Sequence, residues 1–145
     1  MDNNGLYRIY VNCELTSKED VYTFMSDVVC QDDLAQKEVV VNQFNQREKA
    51  GSTLIADHVM LPHIESNHIK NSHIIVIRLA KPILSWDEET KDIRLVMGIL
   101  LKEHENVEIK KKIAMFTRSL AHEDYLNRLL TISERDTFYQ ALKKF

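Results

Sequence analysis

The run Ile74-Ile75-Val76-Ile77 constrains this chain more than any other feature. Four consecutive β-branched residues lose side-chain freedom in a helix and pack well on a pleated surface. No polar residue alternates with them, so a strand here must be covered on both faces. A second apolar stretch, Ile93–Leu100, also reads as a strand. Such strands need helices on each side, and the rest of the chain supplies them.

Tyr7–Cys13 is rich in β-formers and predicts a first strand. Ser17-Lys18-Glu19-Asp20 reads as a capping box, with Ser17 as N-cap and Asp20 standing in for the usual Glu. Val21, Phe24, Met25, Val28 and Val29 follow at helical spacing and predict a helix to about Val29. A second helix is predicted from about Gln36 to Lys49. Val39, Val40 and Phe44 form its apolar stripe and Gly51 stops it. Three β-like runs follow, Leu54–Leu61, Ile74–Leu79 and Ile93–Leu100. Lys81-Pro82 reads as a turn leading to an extended edge that ends at Trp86. Helices are predicted over Glu105–Leu120, His122–Leu130 and Ser133–Phe145, with Ser133 as N-cap and His122 helping to cap its own helix.

The order is strand, two helices, three strands, helices. It predicts a three-layer α/β/α domain with a central mixed sheet. One domain over residues 1–145 accounts for the length. Strands do not alternate strictly with helices and no Gly-rich phosphate loop occurs. A doubly wound nucleotide-binding fold is therefore not expected, and no bound cofactor is implied.

The formal net charge is −3, and the single basic cluster, Lys110-Lys111-Lys112, reads as one solvated helical turn. Nucleic acid is not an expected partner. Cys13 and Cys30 have no metal or redox spacing and read as reduced, buried thiols. Residues 1–8 lack the basic start and apolar run of a signal peptide, and Arg78 and Arg94 interrupt the longest apolar stretches. The expectation is a free-standing cytoplasmic protein.

The chemistry concentrates in one window. His63 follows Val59-Met60-Leu61-Pro62, with Arg47-Glu48 and Ser52-Thr53 shortly upstream. Phosphoryl transfer needs such a set: a neutral imidazole as nucleophile, and guanidinium and hydroxyl donors for the phosphoryl oxygens. Imidazole keeps a lone pair near physiological pH, provided that an acceptor holds its other nitrogen. Sequence does not reveal that acceptor. Each residue also has an ordinary explanation. His63 would suit any exposed strand end, Arg47 a helix C-terminus favoured by the dipole, and Ser52 and Thr53 a turn. His58, His63, His68 and His73 recur every five residues, a spacing that suits neither a strand nor a helix metal site, so no metal is expected.

Taken together, Arg47-Glu48, Ser52-Thr53 and Pro62-His63 resemble the enzyme IIA domain of the bacterial sugar phosphotransferase system, fructose/mannitol type. The resemblance runs from the first strand to the last helix. It implies a phosphotransferase in which His63 accepts a phosphoryl group from HPr and passes it to a cysteine of an enzyme IIB. Arg47 and Thr53 would bind the phosphoryl oxygens, and Trp86 matches a tryptophan common in the family. The family's second active-site histidine falls on Asn106 by ungapped reading, with His104 two residues earlier, so either would serve. Glycines usual between Ser-Thr and Pro-His are replaced by Ala56 and His58. An apolar docking patch would comprise Met60, Leu61 and Ile64. A related reading is a regulatory module that senses phosphorylation state and controls a protein partner.

Overall fold

The computed structural model describes residues 5–142. In chain order it contains β1 (Tyr7–Cys13), α1 (Lys18–Cys30), α2 (Leu34–Lys49), β2 (Leu54–Ala56), β3 (Val59–Met60), β4 (His63–Ser66), β5 (His73–Ser85), β6 (Lys91–Lys102), α3 (Val107–Ser119), α4 (Glu123–Thr131) and α5 (Arg135–Leu142). The expected α/β class with a mixed sheet is the one observed. The chain divides at His104 and Glu105 into two compact units.

The first unit holds the sheet, α1 and α2. Strands run in the order β1-β5-β6-β3-β2, and β4 also pairs with β6. β5 and β6 are antiparallel, whereas β1 runs parallel to β5, and β3 and β4 parallel to β6. The β-branched run lies in β5, between β1 and β6. All four of its residues are fully buried. Ile75, Ile77, Val96 and Leu100 pack with Val21, Met25, Val40 and Phe44, so α1 and α2 cover one face.

Helix ends follow local chemistry. Ser17 caps α1 by accepting from the Asp20 backbone N–H at 3.0 Å. Asp20 does not close the box on Ser17; it accepts from the Thr16 N–H and hydroxyl, both at 3.0 Å. These bonds hold its carboxyl below the usual range. α2 begins at Leu34, earlier than expected, because Asp33 accepts from the Gln36 N–H. In the second unit Glu134, not Ser133, caps α5 by accepting from the Asp136 and Thr137 N–H groups. The expected extension to Phe145 lies outside the described residues. His122 occupies the N-cap of α4 without a side-chain capping bond. Phe116, Leu129 and Phe138 are fully buried, and the Tyr125 hydroxyl donates to the Leu142 carbonyl at 2.8 Å.

Two strand expectations are corrected. Leu54–Leu61 is not one strand but the hairpin β2–β3, which turns at Asp57-His58 without a glycine. β5 does not stop at Leu79; it continues through Lys81-Pro82 to Ser85. Its register with β6 shifts between Arg78 and Ile83, and a proline fits such an irregularity because it cannot donate to the ladder.

Gly98 on β6 is required by α1. A Cβ there would lie 2.4 Å from the Met25 sulfur, and Met25 is itself fully buried. Met25 would have to repack inside the core, so Gly98→Ala should destabilise the protein by about 1–3 kcal/mol. Urea unfolding of the two proteins checks this.

Candidate functional site

The site begins with a broken edge strand. β3 and β4 lie along the same side of β6 and keep one register, with Val59 opposite Leu95, Met60 opposite Val96 and His63 opposite Ile99. Leu61-Pro62 therefore interrupts the ladder without slipping it. Pro62 has no N–H to give, but its carbonyl accepts from the Ile99 N–H at 2.9 Å. β2 shields only the first part of this edge, ending where the Leu61 N–H donates to the Thr53 carbonyl at 2.8 Å. Beyond that point, among the described residues, no strand pairs on the outer side of β4. His63 stands there, exposed.

Its two ring nitrogens have different neighbours. Nδ1 lies 3.1 Å from the Leu61 carbonyl, which can only accept. The Arg47 Nε–H lies 3.3 Å from Nε2 and can only donate. The two contacts are compatible with one tautomer, with the proton on Nδ1 and the lone pair on Nε2. The acceptor that the sequence did not reveal is a backbone carbonyl two residues upstream.

Arg47 comes from the last turn of α2, a helix that packs against β4. Its Nη1 also donates to the Gly51 carbonyl at 3.1 Å, so the guanidinium bridges the end of its own helix and the imidazole. Ser52 takes the turn role: its hydroxyl accepts from the Leu54 N–H. Thr53 is different. It is only 6 % exposed, and among the described residues its buried Oγ1 has no hydrogen-bond partner. A buried hydroxyl with no partner is costly. It sits one backbone hydrogen bond from Leu61, the residue that holds His63.

The fold thus brings Arg47 onto His63 and ties the Thr53 backbone to Leu61, two residues before His63. His104 lies beyond the end of β6, while His63 pairs further back at Ile99. His104 is exposed, has a φ of +59°, and no hydrogen bond among the described residues joins it to His63. Asn106 is the N-cap of α3, its Oδ1 accepting from the Ile109 N–H at 2.9 Å. The expected docking patch is corrected by burial. Met60, Leu61 and Ile64 are 1 %, 9 % and 9 % exposed. The exposed apolar side chains of this edge are instead Leu54 and Ile55 on β2.

The remaining histidines of the five-residue series each have separate partners. His58 Nδ1 lies 2.9 Å from the Asp92 carbonyl, His68 Nδ1 meets the Gln36 side-chain oxygen, and His73 Nδ1 lies 2.8 Å from the Gly5 carbonyl. His58, at a position where glycine was expected, takes a φ of +74°. Its partner Asp92 is also left-handed, at +56°. The side-chain contact between them offsets part of a strain that glycine would not carry.

The family model for the phosphoenolpyruvate-dependent sugar phosphotransferase system, EIIA 2, matches residues 7–145. The chain belongs to this family. As an enzyme IIA domain it is a phosphotransferase component of that system. It is 24 % identical over 140 residues to multiphosphoryl transfer protein 1 of Escherichia coli, a match that covers 96 % of this chain and 17 % of that protein. The chain therefore spans less than a fifth of the length of that curated relative. In fold it is similar to the nitrogen regulatory protein IIA-Ntr from Neisseria meningitidis, with a TM-score of 0.75, 19 % identity, and 95 % of this chain and 97 % of that one covered. It is also similar to a chain of the complex between enzyme IIAMTL and phosphorylated enzyme IIBMTL from Escherichia coli, with a TM-score of 0.64, 18 % identity, and coverage of 94 % and 98 %. No helix among the described residues is long and apolar enough to cross a membrane.

One motif partner escaped sequence reasoning. Glu48 gathers donors from α1 and from Trp86 just after β5, and sequence reasoning marked it only as half of Arg47-Glu48.

Three substitutions test this geometry. Lysine cannot present two donors at the guanidinium spacing. In Arg47→Lys the neutral His63 ring should lose its single tautomer, as read from ring nitrogen shifts at alkaline pH. At the hairpin, His58→Ala keeps the strain and loses the Asp92 contact, whereas His58→Gly loses both. The glycine variant should be the more stable of the two by about 1 kcal/mol in denaturant unfolding.

Proposed function

We propose that residues 1–145 act as one enzyme IIA domain that carries a phosphoryl group on His63 Nε2, taken from HPr and passed to a cysteine of an enzyme IIB during sugar uptake. The observation that carries this reading is the divided hold on His63: a carbonyl on Nδ1 and a guanidinium on Nε2. Nε2 attacks phosphorus, a nitrogen–phosphorus bond forms, and the bond to HPr breaks. The proton stays on Nδ1 and donates to the Leu61 carbonyl, which steadies the positive charge that develops on the ring. Arg47 then turns its donors from the lone pair to the phosphoryl oxygens, and the Thr53 hydroxyl gains the acceptor it lacks. In the second step the cysteine sulfur attacks phosphorus and the electron pair returns to Nε2. The partners are proteins, and Leu54 and Ile55 offer them apolar contact. A relay between such partners belongs in the cytoplasm.

His104 or Asn106 would assist as a further donor to the phosphoryl group. Asn106 already spends its side-chain oxygen on the α3 cap, so only its amide N–H groups are available for this. The displaced second histidine and the replacement of the usual glycines by Ala56 and His58 favour a second reading, a regulatory module that holds the phosphoryl group and changes partners with it. Onward transfer separates the two.

Incubation with phosphoenolpyruvate, enzyme I and HPr should add one acid-labile phosphoryl group to the intact mass, and His63→Ala should abolish it. Adding an enzyme IIB should then discharge the protein if it is a carrier and leave it charged if it is a regulator. A wild-type protein that gains no mass with a competent HPr overturns both.

A further inference from the structure

Beside Arg47 on α2 stands Glu48, whose carboxylate is only 11 % exposed and is surrounded by donors. Its Oε1 accepts from the Tyr22 hydroxyl at 2.7 Å and from the Trp86 indole N–H at 2.8 Å. Its Oε2 pairs with the Lys18 ammonium at 2.9 Å. Lys18 and Tyr22 belong to α1, and Trp86 follows β5. One carboxylate at the end of α2 is therefore tied to two other elements of the same unit. The donors are firmly placed. Tyr22 is 1 % exposed, stacks on Phe44 with centroids 4.8 Å apart, and meets the Trp86 ring edge-on. Their protonation is secure as well. Burial and then the Glu48 contact push the Tyr22 phenol far above its ordinary value. Burial would lower Lys18, but the hydrogen bond and charge of Glu48, together with the charges of Glu19 and Asp87, outweigh it and raise the ammonium.

Arg47 and Glu48 are consecutive, so about 100° of helix separates their directions. Fixing Glu48 fixes the rotation and height of the last turn, and with it the direction of Arg47. The Arg47 to His63 contact, at 3.3 Å, is at the long end of the hydrogen-bond range. A drift of about 0.3 Å would carry it past the limit at which such a contact counts. Helix ends fray unless held, and Ala50 and Gly51 beyond this turn are exposed.

We infer that Glu48 is a positioning residue: through Lys18, Tyr22 and Trp86 it fixes the last turn of α2, so that Arg47 stays on His63 Nε2 and the ring keeps the tautomer that can accept a phosphoryl group. The phosphoryl part rests on the function proposed above. The tautomer part does not.

The test is the ring nitrogen spectrum of His63 at alkaline pH in wild type, Glu48→Ala, Glu48→Gln and Trp86→Phe, with Arg47→Ala as the reference for a lost contact. Glu48→Ala should move the tautomer ratio as far as Arg47→Ala does. Glu48→Gln, which keeps an acceptor oxygen, should restore most of it, and Trp86→Phe should shift it part-way. Single-turnover phosphoryl gain from HPr should fall about tenfold in Glu48→Ala at saturating HPr, with the half-saturating concentration unchanged. A residue that only stabilised the fold would lower the melting temperature and leave the tautomer ratio of the folded protein as in wild type. That outcome overturns the inference. If Glu48→Ala does not fold, a wild-type ratio in Trp86→Phe overturns it equally. If wild type gains no phosphoryl group, the carrier reading fails and the tautomer spectra still decide the role of Glu48.

Discussion

The site depends on the parallel ladder between β6 and the β3–β4 edge. β6 is a central strand, fully buried from Leu95 to Met97, and cannot move without disturbing the core. Because His63 is locked opposite Ile99, the imidazole inherits that rigidity although its side chain is exposed. Pro62 makes the arrangement possible. A residue with an N–H at this point could extend the edge into a longer, pairable strand. Proline denies the donor, frees the Leu61 carbonyl to turn toward Nδ1, and leaves the backbone anchored through the Ile99 N–H. A reactive group is thus carried on a strand start, not on a long loop, and positional precision follows from the sheet.

The parts that were legible from sequence were those governed by local rules. The β-branched run identified a doubly covered strand because no other structure takes four such residues without cost. Ser17 announced α1 by its spacing to Asp20. What was illegible depended on distant partners. The Leu54–Leu61 run scores as one strand by composition, and a hairpin normally shows itself through Gly or Asn. Here the turn uses His58, whose left-handed backbone is supported by Asp92, a residue remote in sequence. Likewise Pro82 signals a turn, and only the shifted register with β6 explains why β5 continues through it. Glu134 was passed over as a cap because Ser133 is the commoner cap residue; the longer carboxylate reaches both N–H groups at 2.8–3.1 Å.

At the candidate site, the resemblance named His63, Arg47 and Thr53 and implied a role for each, but the contacts that hold each one could not be read from sequence. Local pattern offered Ser52 and Thr53 the same ordinary turn reading, and Thr53 was singled out only through the resemblance. The structure separates them: Ser52 spends its hydroxyl on the turn, whereas the Thr53 hydroxyl is buried and has no partner among the described residues. Glu48 was legible only as half of a dipeptide, because its meaning lies in Lys18, Tyr22 and Trp86, which are brought to it by folding. Met60, Leu61 and Ile64 looked available for docking because apolar residues near a reactive group invite that reading. The ladder and the α2 packing use them instead.

On the proposed reading His63 carries the phosphoryl group, and a carrier must hold its group loosely enough to give it up; the charges around His63 suit that requirement. Arg47 reaches the ring from the side open to solvent, at the long end of hydrogen-bond distance, where water moderates its attraction for an anion. A fully buried guanidinium would bind a phosphoryl group far more strongly and turn the relay into a sink. The buried charge is placed one residue further on, at Glu48, where it meets a cation and two neutral donors and never meets the phosphoryl group. On the proposed reading the dipeptide divides its labour around the helix: Arg47 is kept for chemistry, and Glu48 is kept nearly dry and satisfied for position. Exchanging the two residues would preserve composition and net charge. It would also bury an unpaired guanidinium beside Lys18 and set a carboxylate against the incoming anion, so the order Arg-Glu is itself dictated by electrostatics.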